Sequence, residues 1–185
     1  MTRKKKSAKT LEASRASLEK KISTVSGIDS SDCYGGDRLD DLLLKLMRSI
    51  ESAKASKGEL PEKIWIKQQF AVGVNDVTRV LERMPHCDSA THCNEEPIKT
   101  ALRRAPLVPL QAVILVGDCN PKWLTKHIPS MAMSRKVPVI FVKDNKRGSL
   151  RLGELVKLKT ALAVGIKARG TVINKAIDEV LSCGI

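Results

Sequence analysis

Four short apolar runs constrain this chain more than any other feature. Residues 69–72, 111–117, 137–142 and 160–166 are almost free of charge, and segments of helical periodicity separate them. A strand that is apolar on both sides must be covered on both faces, so such runs belong to a sheet sandwiched between helices. The expected fold is a three-layer α/β/α sandwich with a four-stranded mixed sheet, spanning residues 37–185.

The helices are read from spacing. In residues 38–56, Leu39, Leu42, Leu43, Leu46, Met47 and Ile50 recur at three- and four-residue intervals, the stripe of a helix packed on one side. Lys57-Gly58 ends it, and 61–67 leads into the first strand. Val77, Val80, Leu81 and Met84 predict the next helix, with Asn75 as N-cap, Asp76 in the first turn and Pro85 as stop. Residues 118–121 read as a strand-to-helix turn with Asn120 as cap and Pro121 opening the helix. That helix is expected to bury Trp123, Leu124, His127, Ile128 and Met131. A short helix is expected over 149–157. A closing helix over 171–182 should turn Val172, Ile173, Ala176, Ile177, Val180 and Leu181 inward. Residues 85–109 hold four prolines and read as an inserted loop.

Charge narrows the function classes. Lys+Arg number 33 against 20 Asp+Glu, a net +13. Residues 1–21 carry +6, residues 22–62 carry −3 and residues 63–185 carry +10. The excess therefore lies mostly in the segment expected to fold, and such a surface gathers polyanions. Aromatics are only 3%, few for a binder that stacks successive bases of a single strand. A folded RNA or a duplex is the better match. Residues 1–36 read as a basic tail in which Arg3–Lys6 resembles a nuclear address. No apolar run reaches the ~18–20 residues of a membrane span, and no signal peptide is expected. Five cysteines without framework spacing suggest a reduced intracellular setting.

In sandwiches of this kind, ligand-binding loops gather at one end of the strands. The candidate loops are 73–79, 118–121, 143–151 and 167–170. His86-Cys87 and His92-Cys93 raise the possibility of zinc, but their separation fits no zinc spacing, so no metal is expected. No dinucleotide fingerprint, phosphate loop or Ser-His-Asp order accompanies Asp118, so neither a cofactor nor catalysis is expected. His127 is expected to be packed, and Cys119 to fill space.

Four blocks resemble the kink-turn RNA-binding superfamily of small ribosomal and snoRNP proteins. They are Gly73-Val74-Asn75-Asp76-Val77-Thr78-Arg79, residues 118–129 ending in His127-Ile128-Pro129, residues 137–142, and Leu152-Gly153. Residues 70–83 and 131–138 are further similar to the branch that serves eukaryotic ribonuclease P and ribonuclease MRP. The resemblance implies a non-catalytic protein that binds a kink-turn-like RNA within an RNA-processing particle of the nucleus or nucleolus, beside other protein subunits. The alternatives are a ribosomal or snoRNP kink-turn binder, or an interaction module without RNA; strong positive charge disfavours the last.

By the same resemblance, Gly73, Val74, Asn75, Asp76 and Arg79 meet tandem G·A pairs at a sharply bent RNA. Lys143, Lys146, Arg147, Ser149, Leu150 and Arg151 cover an extruded nucleotide. Asp76 stands where the family usually has Glu, and is one methylene shorter.

Overall fold

The computed structural model describes residues 33–56, 58–86, 108–145 and 147–182. Most of the expected tail, most of the 85–109 insertion and Lys146 lie outside the described residues, as do Cys87, His92 and Cys93.

The described elements run in this order: β1 (Cys33–Tyr34), α1 (Asp37–Ala55), α2 (Glu62–Gln69), β2 (Phe70–Val72), α3 (Val74–Arg83), β3 (Leu110–Val116), a 3-10 turn (Lys122–Leu124), α4 (His127–Met133), β4 (Val139–Val142), α5 (Gly148–Leu155), β5 (Ala163–Lys167) and α6 (Val172–Ser182). The strands form one mixed sheet in the order β1-β4-β3-β5-β2. β1, β4 and β3 are mutually parallel, and β5 runs antiparallel to both β3 and β2.

The α/β/α sandwich is present, with five strands rather than four. The extra strand is β1, which pairs Cys33 with Phe141 and Tyr34 with Val142. Two residues are too few to leave a period-2 signal, so nothing in residues 1–36 announced it.

Two apolar layers flank the sheet. Ala112, Ile114, Val116, Ile140, Val142, Val164 and Ile166 face α1, α2, α5 and α6. Val113, Leu115 and Ala163 face α3 and α4, where Val77, Leu81, Ile128 and Ala132 close the second layer. Alternation between two buried faces is what makes β3 read as a continuous apolar run. In α1, Leu39, Leu42, Leu43, Leu46 and Ile50 are all buried. Each such side chain contributes roughly 1.5–3 kcal/mol on leaving water, so the long stripe reliably places the helix.

Where the apolar spacing is thin, the sequence expectations need correction. The segment before β2 is a helix, α2, anchored by Trp65 as its one buried residue; a single anchor makes no stripe. Asn75 does not cap α3, because Gly73 holds the N-cap position and no side chain caps the helix. Asn120 and Pro121 do not open a long helix either. A 3-10 turn intervenes, with Pro121 at its N-cap, and α4 begins only at His127. This break shifts the helical phase, which leaves Trp123 and His127 exposed instead of buried. Val172 is also exposed, since it opens α6 ahead of the residues that meet the sheet.

Two glycines are required by the backbone. Gly73 has φ 92 and ψ 160, a region essentially reserved for glycine, and it turns the chain from β2 into α3. At Gly153, a Cβ would stand 2.7 Å from the Thr160 Cα and 2.8 Å from the Leu158 carbonyl oxygen. There α5 lies directly against the segment leading into β5.

Candidate nucleic-acid interface

Strand direction decides which loops meet. Val116 pairs with Val142, Leu115 with Ala163, and Val72 with Val164. The loops after β2, β3 and β4 therefore share one end of the sheet. Residues 167–170 follow the antiparallel β5, where Lys167 pairs with Leu110. That loop lies at the opposite end, which corrects its grouping with the other three.

The two ends differ in how their helix starts are satisfied. At the opposite end, Asn174 is buried, and its Oδ1 accepts from the Thr171 N–H at 2.9 Å and the Thr171 hydroxyl at 3.0 Å. Its Nδ2 donates to the Lys167 carbonyl at 2.9 Å and to Gln111. This network closes the start of α6 with the protein's own groups. Burial, and then Arg169, push the Lys167 ammonium below its ordinary value, and Asp76 acts the other way. The Lys167 Nζ donates to the Lys67 carbonyl.

At the shared end, α3 and α5 both start without a side-chain cap. The first N–H groups of a helix are donors awaiting a partner, and the dipole favours negative charge there. In the first turn of α3, Asn75 and Asp76 are exposed. Asp76 makes a loose 3.6 Å ion pair with Arg79, and both side chains remain mostly in solvent. Gly73 and Val74 are half-buried at the turn itself. An exposed amide, carboxylate and guanidinium within one helical turn can read a base edge and hold a phosphate.

The loop after β4 is built differently. Lys143 and Arg147 are exposed, and Leu150 projects into solvent. Ser149 is half-buried, and its carbonyl accepts from the Ala161 N–H at 2.9 Å. Arg151 bonds to Asp40 of α1 and reaches Asp144 at 3.4 Å. The Asp40 hydrogen bond raises its pKa above the ordinary arginine value, against the opposing effect of desolvation. Arg151 therefore ties α1 to this loop.

Residues 98–175 match the ribosomal protein L7Ae/L30e/S12e/Gadd45 family. That is a likeness over less than half of the chain. The match takes in β3 through β5 and ends inside α6. The α3 turn lies ahead of it, so the likeness to that family rests on the central strands and the loops after β3 and β4. Ribonuclease P protein subunit p38 of Bos taurus is 29% identical over 129 residues, covering 68% of this chain and 36% of that protein. The Homo sapiens protein of the same name is 29% identical over 115 residues, covering 62% and 30%. The chain thus spans about a third of the length of these curated relatives. Among solved structures, the Giardia lamblia 15.5kD RNA binding protein aligns with 84% of this chain and 98% of its own, at 16% identity and a TM-score of 0.47.

Spacing alone missed one side-chain pair and one exposed ring. The Thr78 Oγ1 lies 2.8 Å from His127 Nε2, which latches α3 to the start of α4. Trp123 stands in solvent on the turn just before. The sequence signal was Pro121 itself, which interrupts the helical phase on which the burial reading depended.

Among the described residues, no group of His, Cys, Asp or Glu is placed to hold a metal ion, and no helix is long and apolar enough to cross a membrane. Cys119 is buried, with its Sγ 3.3 Å from the Thr125 hydroxyl.

Proposed function

We propose that this chain is a non-catalytic RNA-binding protein that recognises a kink-turn-like RNA and supports assembly of an RNA-processing ribonucleoprotein, ribonuclease P/MRP first of all. The open first turn of α3 carries the proposal. Asn75, Asp76 and Arg79 are exposed beside uncapped N–H groups, on a chain of net charge +13. In this reading Gly73 and Val74 let the RNA approach the backbone. Asn75 and Asp76 read purine edges, and Arg79 holds the adjacent phosphate. Lys143, Lys146, Arg147, Ser149 and Leu150 flank the extruded nucleotide, and Arg151 holds their loop in place. The basic segment ahead of β1 acts as a tail to the domain, which takes in Cys33–Tyr34 as well as 37–185.

The likeness to ribonuclease P protein subunit p38 supports the choice of particle. It also favours a nuclear and nucleolar setting, the other protein subunits as partners, and tRNA and rRNA processing as the work served, with the RNA carrying the chemistry. A second reading, a ribosomal or snoRNP kink-turn binder, is supported by the family match and differs only in the RNA bound.

The test is a gel-shift titration at physiological salt, comparing a kink-turn RNA with the same RNA lacking its tandem G·A pairs. Preference for the intact RNA by tenfold or more is expected, about 1.4 kcal/mol. Equal, salt-sensitive binding to both would defeat the kink-turn reading and leave a general polyanion binder. Sequencing of RNA co-purified from cells then separates the two particles.

A further inference from the structure

We propose that Trp123 is a stacking platform for an unpaired RNA base beside the α3 turn. The inference rests on the RNA-binding reading and adds a ligand contact to it. The chain has two tryptophans. Trp65 is 3% exposed and meets the ring of Phe70 edge-on, whereas Trp123 is 70% exposed. A packed indole removes on the order of 150–250 Å² from water, so an indole left in solvent forgoes one of the largest gains open to any side chain.

The ring stands on a fixed frame. Leu124 N–H donates to the Pro121 carbonyl at 3.3 Å, Thr125 N–H to the Lys122 carbonyl at 3.4 Å, and Ile128 N–H to the Thr125 carbonyl at 3.1 Å. Thr125 is itself buried against Cys119. Two residues beyond it, His127 is latched to Thr78, the neighbour of Arg79. The platform's backbone is thus tied to the helix that carries Asn75 and Asp76, and a turn already ordered leaves only the rotation of the Trp123 side chain to be lost on binding.

Charge selects the occupant. Residues 119–136 contain Lys122, Lys126, Arg135 and Lys136 and no acidic residue. Lys122 and Lys126 lie on either side of Trp123 in sequence and are exposed. A protein surface docking its apolar residues here would meet those cations with nothing to neutralise them. A nucleic acid brings a base for the ring and phosphates for the lysines. One aromatic suits one unpaired base flanking a folded element, in keeping with the low aromatic content.

The full chain would be titrated with an unlabelled kink-turn RNA, following tryptophan emission and its quenching by acrylamide. Affinity would be measured separately by anisotropy of the same RNA carrying fluorescein. Because Trp65 is buried, the emission change reports Trp123. RNA should quench the emission and shield it from acrylamide. Trp123→Ala should abolish that response and weaken binding about tenfold, while Trp123→Phe should lose less, with circular dichroism unchanged in both. Unaltered affinity in Trp123→Ala, with no quenching in the parent chain, would overturn the platform and leave the RNA-binding reading intact. Absence of RNA binding by the parent chain would overturn both. Shielding of Trp123 by a purified protein partner but not by RNA would make the turn a protein-docking surface instead.

Discussion

The α3 turn and the loop after β4 both present charge at the same end of the sheet, yet they use it differently. On α3, Asn75, Asp76 and Arg79 are exposed, and Asp76 and Arg79 meet only loosely, at 3.6 Å. On the second loop, Arg151 is engaged by Asp40 and Asp144, Ser149 gives its carbonyl to Ala161, and Gly153 is pressed against Thr160. Charge near a ligand-binding edge therefore divides into groups that await a ligand and groups that hold the edge in shape. Sequence position does not separate them; the partner across the fold does.

The comparison can be broken by substitution. The largest effect is expected from Asn75→Ala combined with Asp76→Ala. Discrimination between intact and G·A-deficient RNA should fall by roughly a hundredfold, taking about 1–3 kcal/mol for each base contact. The melting temperature should barely move, since neither side chain caps α3. A variant that keeps its discrimination would remove these residues from the site.

Next comes Gly153→Ala, which forces a methyl group against backbone 2.7 Å away. A loss of about 2 kcal/mol is expected, seen as a melting temperature lower by ~4–8 °C. RNA selectivity should survive below the transition.

Arg151→Ala should cost about 0.5–1 kcal/mol, because its ion pairs are partly in solvent and screened. Affinity for RNA should change far less than with the α3 variant. If Arg151→Ala instead abolished binding without changing stability, Arg151 would be a ligand contact and the distinction between the two regions would collapse.

The smallest effect is expected from Lys143→Gln. It should weaken binding evenly across RNA sequences and reduce the salt slope by about one. An unchanged slope would place Lys143 outside the phosphate path.

The legible parts of the sequence had many anchors. The stripe of α1 and the apolar runs of β3, β4 and β5 repeat a period several times, so tertiary packing had little room to overrule them. The illegible parts had one anchor or none. α2 has Trp65 as its one buried side chain, and β1 is two residues long. At the candidate site, the residue types of the α3 turn were readable from 73–79, but the cap was not. Asn75 is a good N-cap by type, and Gly73 took the place because the chain must turn there through a positive φ.

The sequence by itself determined the layer architecture, the strongly positive charge and the two segments that carry the candidate contacts, because each is a property of local composition or period. Tertiary structure decided which loops share an end, that 167–170 points away, that Arg151 faces Asp40 and Asp144, and that Trp123 stands in water. Those outcomes depend on strand direction, on pairs as far apart as Asp40 and Arg151 in sequence, and on one 3-10 turn that shifts the phase of everything after it. Only the last has a local signal, in Pro121; the others are not encoded within a window of neighbouring residues.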